Sequence, residues 1–239
     1  MTLSNRKILR TLLCLLAGTL YAVCLSACDA KEPLSENRDA EIESPVIAND
    51  LSNQKVTAIA EDTQGHIWIG TFRGLNKNNV HDYHQYFCTD DSLGLPDNQI
   101  THLLRDSKNR FWVGTVNGVC LYTDKDNFRI IPIEADNKNV RQILEDRNGR
   151  IFLNTGFQLY AYHPREEKIT CVLPEISPGN AFYAQCHIAP DNNLWVMTST
   201  GLRCYDPSTL QLKESVALSG YPYYSYLHNN ELWITGNHT

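Results

Sequence analysis

From about residue 56 the chain alternates short apolar runs with clusters of Gly, Asn, Asp and Ser, and no long 3.6-residue apolar period is sustained beyond the start. Runs of this length, rich in Val, Ile, Thr, Tyr and Trp, predict strands. The strands come in a repeating phrase. "GHIWIGTFRGLNK" at 65–77 returns as "RFWVGTVNGVCLY" at 110–122, and aromatic residues stand at Trp68, Trp112, Phe152, Trp195 and Trp233. Their spacings are 44, 40, 43 and 38 residues. Twelve residues before each of the first four, a strand is expected to begin, at Val56, Ile100, Val140 and Tyr183. Six before stands Asp62, Asp106 or Asp146, and three before stands Gly65, Asn109, Gly149 or Asn192. Three after comes Thr71, Thr115, Thr155 or Thr198, followed by a turn and a Tyr-containing third strand in the later copies. The fourth strands are "HDYHQYF", "FRIIPI", "KITCVL" and "LKESVAL".

Each piece has a physical reason. An Asp can accept backbone N–H bonds inside the turn between the first two strands, while Gly or Asn tolerates positive φ there. Near-continuous apolarity in "HIWIGT" suits a strand covered on both faces, and the Trp fills the wedge between neighbouring sheets. The two residues after the Thr are free to project from the turn. A four-strand unit of about 40–45 residues marks a β-propeller blade. The expected fold is all-β: a β-propeller of four-stranded antiparallel blades, incomplete at about four and a half blades. The blades fall near 51–94, 95–137, 138–179, 180–220 and 221–239, the last partial, within a domain spanning 46–239.

The start is different. Arg6, Lys7 and Arg10 precede the apolar run "TLLCLLAGTLYAVCLSAC", which has the form of a secretory leader over residues 1–27. Its end, Leu25-Ser26-Ala27-Cys28, resembles the lipobox of bacterial lipoproteins. That likeness implies cleavage before Cys28, lipidation of its thiol and a place on the periplasmic face of a bacterial membrane. Ordinary leader cleavage or an uncleaved anchor helix are the alternatives. Removing the leader deletes its three positive charges and takes the formal net charge from −6 to −9. Residues 28–45 are polar and Pro-punctuated and are expected to form a flexible tether. Five cysteines remain: Cys88, Cys120, Cys171, Cys186 and Cys204. An odd number without a CxxC pair is no complete disulfide framework, and each is expected to be a small buried hydrophobe. No basic cluster in the body of the chain suits a nucleic acid.

"VTAIAEDTQGHIWIGTFRGLNK" and "ITHLLRDSKNRFWVGTVNGVCLY" closely resemble the two-component regulator propeller repeat. "LSNQK" and "GLPDNQ" resemble that family's usual entry to a blade. The resemblance covers about 46–239 and weakens after the second copy: Phe152 replaces Trp, Asn154 and Met197 replace Gly, and Ala189 replaces Asp. It implies the periplasmic sensor propeller of bacterial hybrid two-component systems, detecting oligosaccharide or a similar nutrient and signalling to a downstream histidine kinase. It also implies closure at seven blades, about 300 residues at this period. The chain is therefore expected to be the N-terminal fragment of a longer protein, with a membrane helix and kinase following. "SPVIAND" at 44–50 is an extra candidate outer strand. The membrane is reached through the lipid anchor or that later helix, and the longer parent leaves room for a homodimer.

There is no Gly-rich phosphate loop, GxSxG elbow or HExxH, so no catalytic residue, cofactor or metal is assigned. His81 and His84 sit at i and i+3, on opposite faces of a strand. "TDKDN" at 123–127 lacks the Gly and distal Glu of a calcium loop and is expected to be a solvated turn. The binding surface is expected at the end carrying the variable pairs. Its ligand-binding residues are Phe72, Arg73, Asn98, Asn117, Phe157, Gln158 and Tyr183, whose rings and amides suit sugar rings and hydroxyls. Val116, Ser199 and Thr200 complete the pairs, and Asn53, Gln99, Asn139 and Phe182 lie in the loops entering the first strands. His102, Gln142 and Gln185 occupy matching innermost positions and are candidates to line a channel. Two other readings stand beside the sensor: a lipid-anchored interaction propeller without a kinase, and a propeller lyase of the streptogramin-inactivating type.

Overall fold

The computed structural model describes residues 45–89, 94–174, 176, 184–229 and 231–237. The leader, Cys28 and most of the tether lie outside the described residues. The remainder is all-β, with a single 3-10 turn at Asp124–Asp126.

Four antiparallel sheets follow one another in chain order. In the first, β1 (Val46–Ala48), β2 (Val56–Glu61), β3 (Ile67–Thr71), β4 (Gly74–Asn79) and β5 (Asp82–Tyr86) are ordered β1-β5-β4-β3-β2. The second holds β6 (Ile100–Arg105), β7 (Phe111–Thr115), β8 (Gly118–Tyr122) and β9 (Phe128–Ile131). The third holds β10 (Gln142–Glu145), β11 (Ile151–Asn154), β12 (Leu159–His163) and β13 (Lys168–Leu173). The fourth holds β14 (Gln185–Ile188), β15 (Leu194–Thr198), β16 (Gly201–Tyr205) and β17 (Leu212–Ala217). A hairpin of β18 (Tyr221–His228) and β19 (Glu231–Asn237) comes last. The fold is therefore the expected propeller of four-stranded blades. The candidate strand at 44–50 does form, as β1, but it pairs with β5 of its own blade and makes that sheet five-stranded. The first strands of the third and fourth blades start at Gln142 and Gln185, two residues later than the period predicts.

The first strands stand side by side, β2 by β6, β6 by β10, β10 by β14 and β14 by β18. They form the hub. Two of the candidate channel residues lace it together. The Gln142 side chain accepts from the Cys186 N–H at 2.9 Å and donates to its carbonyl at 3.3 Å. The Gln185 side chain accepts from the backbone and hydroxyl of Ser225 at 2.6 and 2.9 Å. His102 is largely buried, which holds its imidazole below the usual pKa.

The core lies between blades. One cluster joins Trp68 and Tyr86 to Phe111 and Phe128 of the next blade, a second joins Trp112 to Tyr162, and a third joins Phe152 to Leu194. Trp68 is fully buried, with ring centroids 5.5 Å from Tyr86, 5.0 Å from Phe111 and 4.7 Å from Tyr122. The Gly after each of the first two Trp residues is a matter of space. A Cβ on Gly70 would come within 2.6 Å of Ile100 Cγ2 in the neighbouring blade.

The turn between first and second strands carries a bond that the pattern alone did not predict. Asp62 accepts the N–H groups of Gln64 and His66 through Oδ1, as expected of a turn, and the Trp68 indole N–H through Oδ2 at 2.9 Å. Asp106 repeats this with Lys108, Arg110 and, at 2.8 Å, the Trp112 indole. In the third blade Phe152 has no N–H to give, and Asp146 Oδ2 is buried without a partner. In the fourth, Ala189 has no carboxylate and Trp195 is only half-buried.

Two expectations need correction. Cys88 and Cys171 are exposed, because they sit on or beside outer strands, while Cys120, Cys186 and Cys204 are buried. Burial pushes the Cys186 thiol up to about 12, which keeps it a protonated hydrophobe. The 123–127 turn is not simply solvated: Asp126 is half-buried and accepts the hydroxyls of Tyr86 at 2.6 Å and Tyr122 at 2.8 Å, tying two blades together.

Candidate functional site

In an antiparallel blade the turn from second to third strand and the entry to the first strand share one end. Phe72, Arg73, Asn98, Asn117, Phe157 and Gln158 are all on turns or entries of that end, so the fold gathers them there. Tyr183 and Phe182 lie outside the described residues. The turns are built alike. Thr71, Thr115 and Thr198 donate through Oγ1 to the carbonyls of Gly74, Gly118 and Gly201 at 2.9, 2.9 and 3.0 Å. Their hydroxyls accept the N–H groups of Arg73, Asn117 and Thr200. Gly74 and Gly118 have φ of 116° and 137°, a conformation that favours Gly.

Several of these side chains are already engaged. Lys55 Nζ lies 3.6 Å from the centre of the Phe72 ring, covering one of its faces. Asn98 is partly structural: its carbonyl accepts the Gly74 N–H at 2.7 Å and its side-chain oxygen accepts the Cys88 N–H at 2.7 Å. Gln158 Oε1 accepts the Tyr160 hydroxyl at 2.7 Å. The guanidinium of Arg73 and the amide of Asn117 are exposed, and neither is hydrogen-bonded to the described residues. Among the described residues, no group of three or more His, Cys, Asp or Glu is placed to hold a metal ion. His84 Nε2 lies 3.9 Å from Asp82 Oδ1.

The opposite end carries a groove between the first two blades that the sequence reading passed over. It has a volume of about 400 Å³ and is lined by Asp62, Lys77, Arg105, Phe111, Tyr122 and Asp126 among others. Lys77 reaches across from β4 to β8: its Nζ is 5.3 Å from the Trp68 ring centre, 5.4 Å from that of Tyr122 and 3.4 Å from the Tyr122 hydroxyl. Arg105 Nη1 donates to the Asp62 carbonyl at 3.0 Å. Burial raises the Asp126 pKa, but the bonds from Tyr86 and Tyr122, with the charges of Lys77 and His84, outweigh it and leave the carboxyl below its usual value. For Asp62, burial is likewise outweighed by the bonds from Trp68, His66 and Gln64. The Tyr86 and Tyr122 hydroxyls are pushed up by burial first and by Asp126 second. Lys125 and Asp126 adopt φ of 68° and 60° in succession, a left-handed pair that costs roughly 1–2 kcal/mol per residue.

Carboxylate, Trp, Thr and Gly stand in the same arrangement in two successive blades. Residues 50–73 and 94–117 match the model of the two-component regulator propeller. Solved structures of similar fold include one from B. thetaiotaomicron described as the extracellular domain of a hybrid two component system. It is 21% identical, with a TM-score of 0.62 over 76% of this chain and 26% of that one. Virginiamycin B lyase from Staphylococcus aureus is 18% identical, with a TM-score of 0.60 over 80% of this chain and 67% of that one. An auxiliary nutrient binding protein from Bacteroides thetaiotaomicron is 10% identical, with a TM-score of 0.51 over 74% of this chain and 46% of that one. This chain thus spans about a quarter of the first of these, the 26% just given. Likeness at such identities shows a common fold. Among curated proteins none matches in sequence.

Proposed function

We propose that this chain is an extracytoplasmic sensing propeller, held at a bacterial membrane through lipidated Cys28, that binds an oligosaccharide or similar nutrient and signals to a histidine kinase. The observation that carries this reading is the match of residues 50–73 and 94–117 to the two-component regulator propeller model. The ligand lies across the turns of the first three blades, with Arg73 and Asn117 donating to hydroxyls and Phe72 offering the ring face that Lys55 leaves open. Phe157 and Gln158 continue the same surface. A lipid-anchored interaction propeller is the second reading, and the Leu25–Cys28 motif favours it.

Thermal denaturation across a panel of plant and host oligosaccharides tests the proposal. At least one sugar should raise Tm in proportion to the logarithm of its concentration, and Phe72→Ala with Arg73→Ala should remove the shift. A panel that leaves Tm unchanged, or a shift indifferent to both substitutions, contradicts it.

A further inference from the structure

The groove between blades one and two differs chemically from the predicted binding end. Three cationic side chains line it, Lys77, Arg105 and Lys125, and among the described residues none of the three is in an ion pair. Its two carboxylates do not offset them at contact range. Asp62 is taken up by two turn N–H groups, an indole and the His66 imidazole, and Asp126 by two tyrosine hydroxyls. Arg105 and Lys125 are exposed and Lys77 is half-buried. Around them are hydroxyl and amide groups on Thr63, Gln64, Asn109 and Thr123.

We propose that this groove binds the acid group of a sugar, so that the sensing propeller takes an anionic oligosaccharide with at least one uronate here. The inference rests on the sensing reading above and adds a second contact region and a charge class to it. Its volume of about 400 Å³ falls in the range of small-molecule sites, roughly 300–1,000 Å³. Lys77 and Arg105 hold only neutral oxygens here, and a hydroxyl-rich anion gives them a charged acceptor that a neutral sugar lacks. The left-handed pair Lys125–Asp126 has a purpose on this reading. It turns Asp126 inward beneath Tyr86 and Tyr122 and leaves Lys125 exposed at the groove. Lys77 is the central contact, because its ammonium already lies over the Trp68 and Tyr122 rings.

Calorimetric titration of the full chain with digalacturonate, beside its methyl ester of the same size without charge, tests this. Digalacturonate should bind, and the ester should bind at least about tenfold more weakly, the equivalent of one charge-assisted hydrogen bond. Lys77→Met keeps the apolar stem over Trp68 and should weaken uronate binding about tenfold. Lys125→Gln, on an exposed side chain, should weaken it in the same direction with an unchanged melting profile. Equal affinity for acid and ester, absence of digalacturonate binding, or binding unaffected by both substitutions overturns the proposal. If a neutral oligosaccharide still binds in a manner dependent on Arg73, the sensing reading survives and only the anionic groove falls.

Discussion

Asp and Trp stand six residues apart in the first two blades, and the structure shows why both are there: the carboxylate takes the indole N–H at 2.9 and 2.8 Å. Where one member is replaced, the other is left stranded. Phe152 leaves Asp146 Oδ2 buried and unpartnered, a condition that costs free energy. The Phe152 ring takes the place of the indole closely enough that Arg150 sits over it at 5.8 Å, as Arg110 sits over Trp112 at 5.1 Å. Phe152→Trp should therefore supply the missing donor and stabilise the chain by about 1 kcal/mol, roughly 2–4 °C in Tm. A fall in Tm would mean that the third blade has no room for an indole. The offset between Asp and Trp was visible in the sequence. The bond was not, because the turn's own N–H groups already accounted for the Asp.

At the scale of elements, the apolar period placed all four strands of each full blade, since the period is written by burial against neighbouring blades on both sides. It could not place Asp126. The residues it joins, Tyr86 and Tyr122, are 40 and 4 positions away in the chain, and the longer link exists only once two blades have packed. Nor could it tell that Gln142 and Gln185 bind the next innermost strand, or that Asn98 spends its amide on Cys88. Polar side chains at regular positions look alike whether they serve a ligand or a neighbouring blade. The clamp at Asp126 has a pH signature. Asp62 and Asp126 have folded pKa values below their unfolded ones, so their contribution is present above about pH 4 and is lost as pH falls through the lowered values. Asp126→Ala should cost about 1–3 kcal/mol at neutral pH and make the acid limb of a Tm–pH profile shallower. An unchanged limb would show that the carboxylate does not tie the two blades.

At the scale of the molecule, the repeats make a hub of first strands with buried rings in the wedges, and both proposed contact regions depend on that arrangement. The predicted end gathers side chains from several blades, while the groove at the other end needs the first two to be packed face to face. The blades are not equivalent. Trp68 and Trp112 are fully buried and bonded to carboxylates, Trp195 is half-buried opposite Ala189, and Trp233 is 61% exposed. Proton exchange at the four indole N–H groups, followed by nuclear magnetic resonance on chain labelled with ¹⁵N-tryptophan, samples four blades at once. On transfer to heavy water, the account predicts two indole signals that persist for hours, from Trp68 and Trp112, and two lost within the first spectrum. Loss of all four together, or survival of Trp233 in place of Trp68, would contradict it.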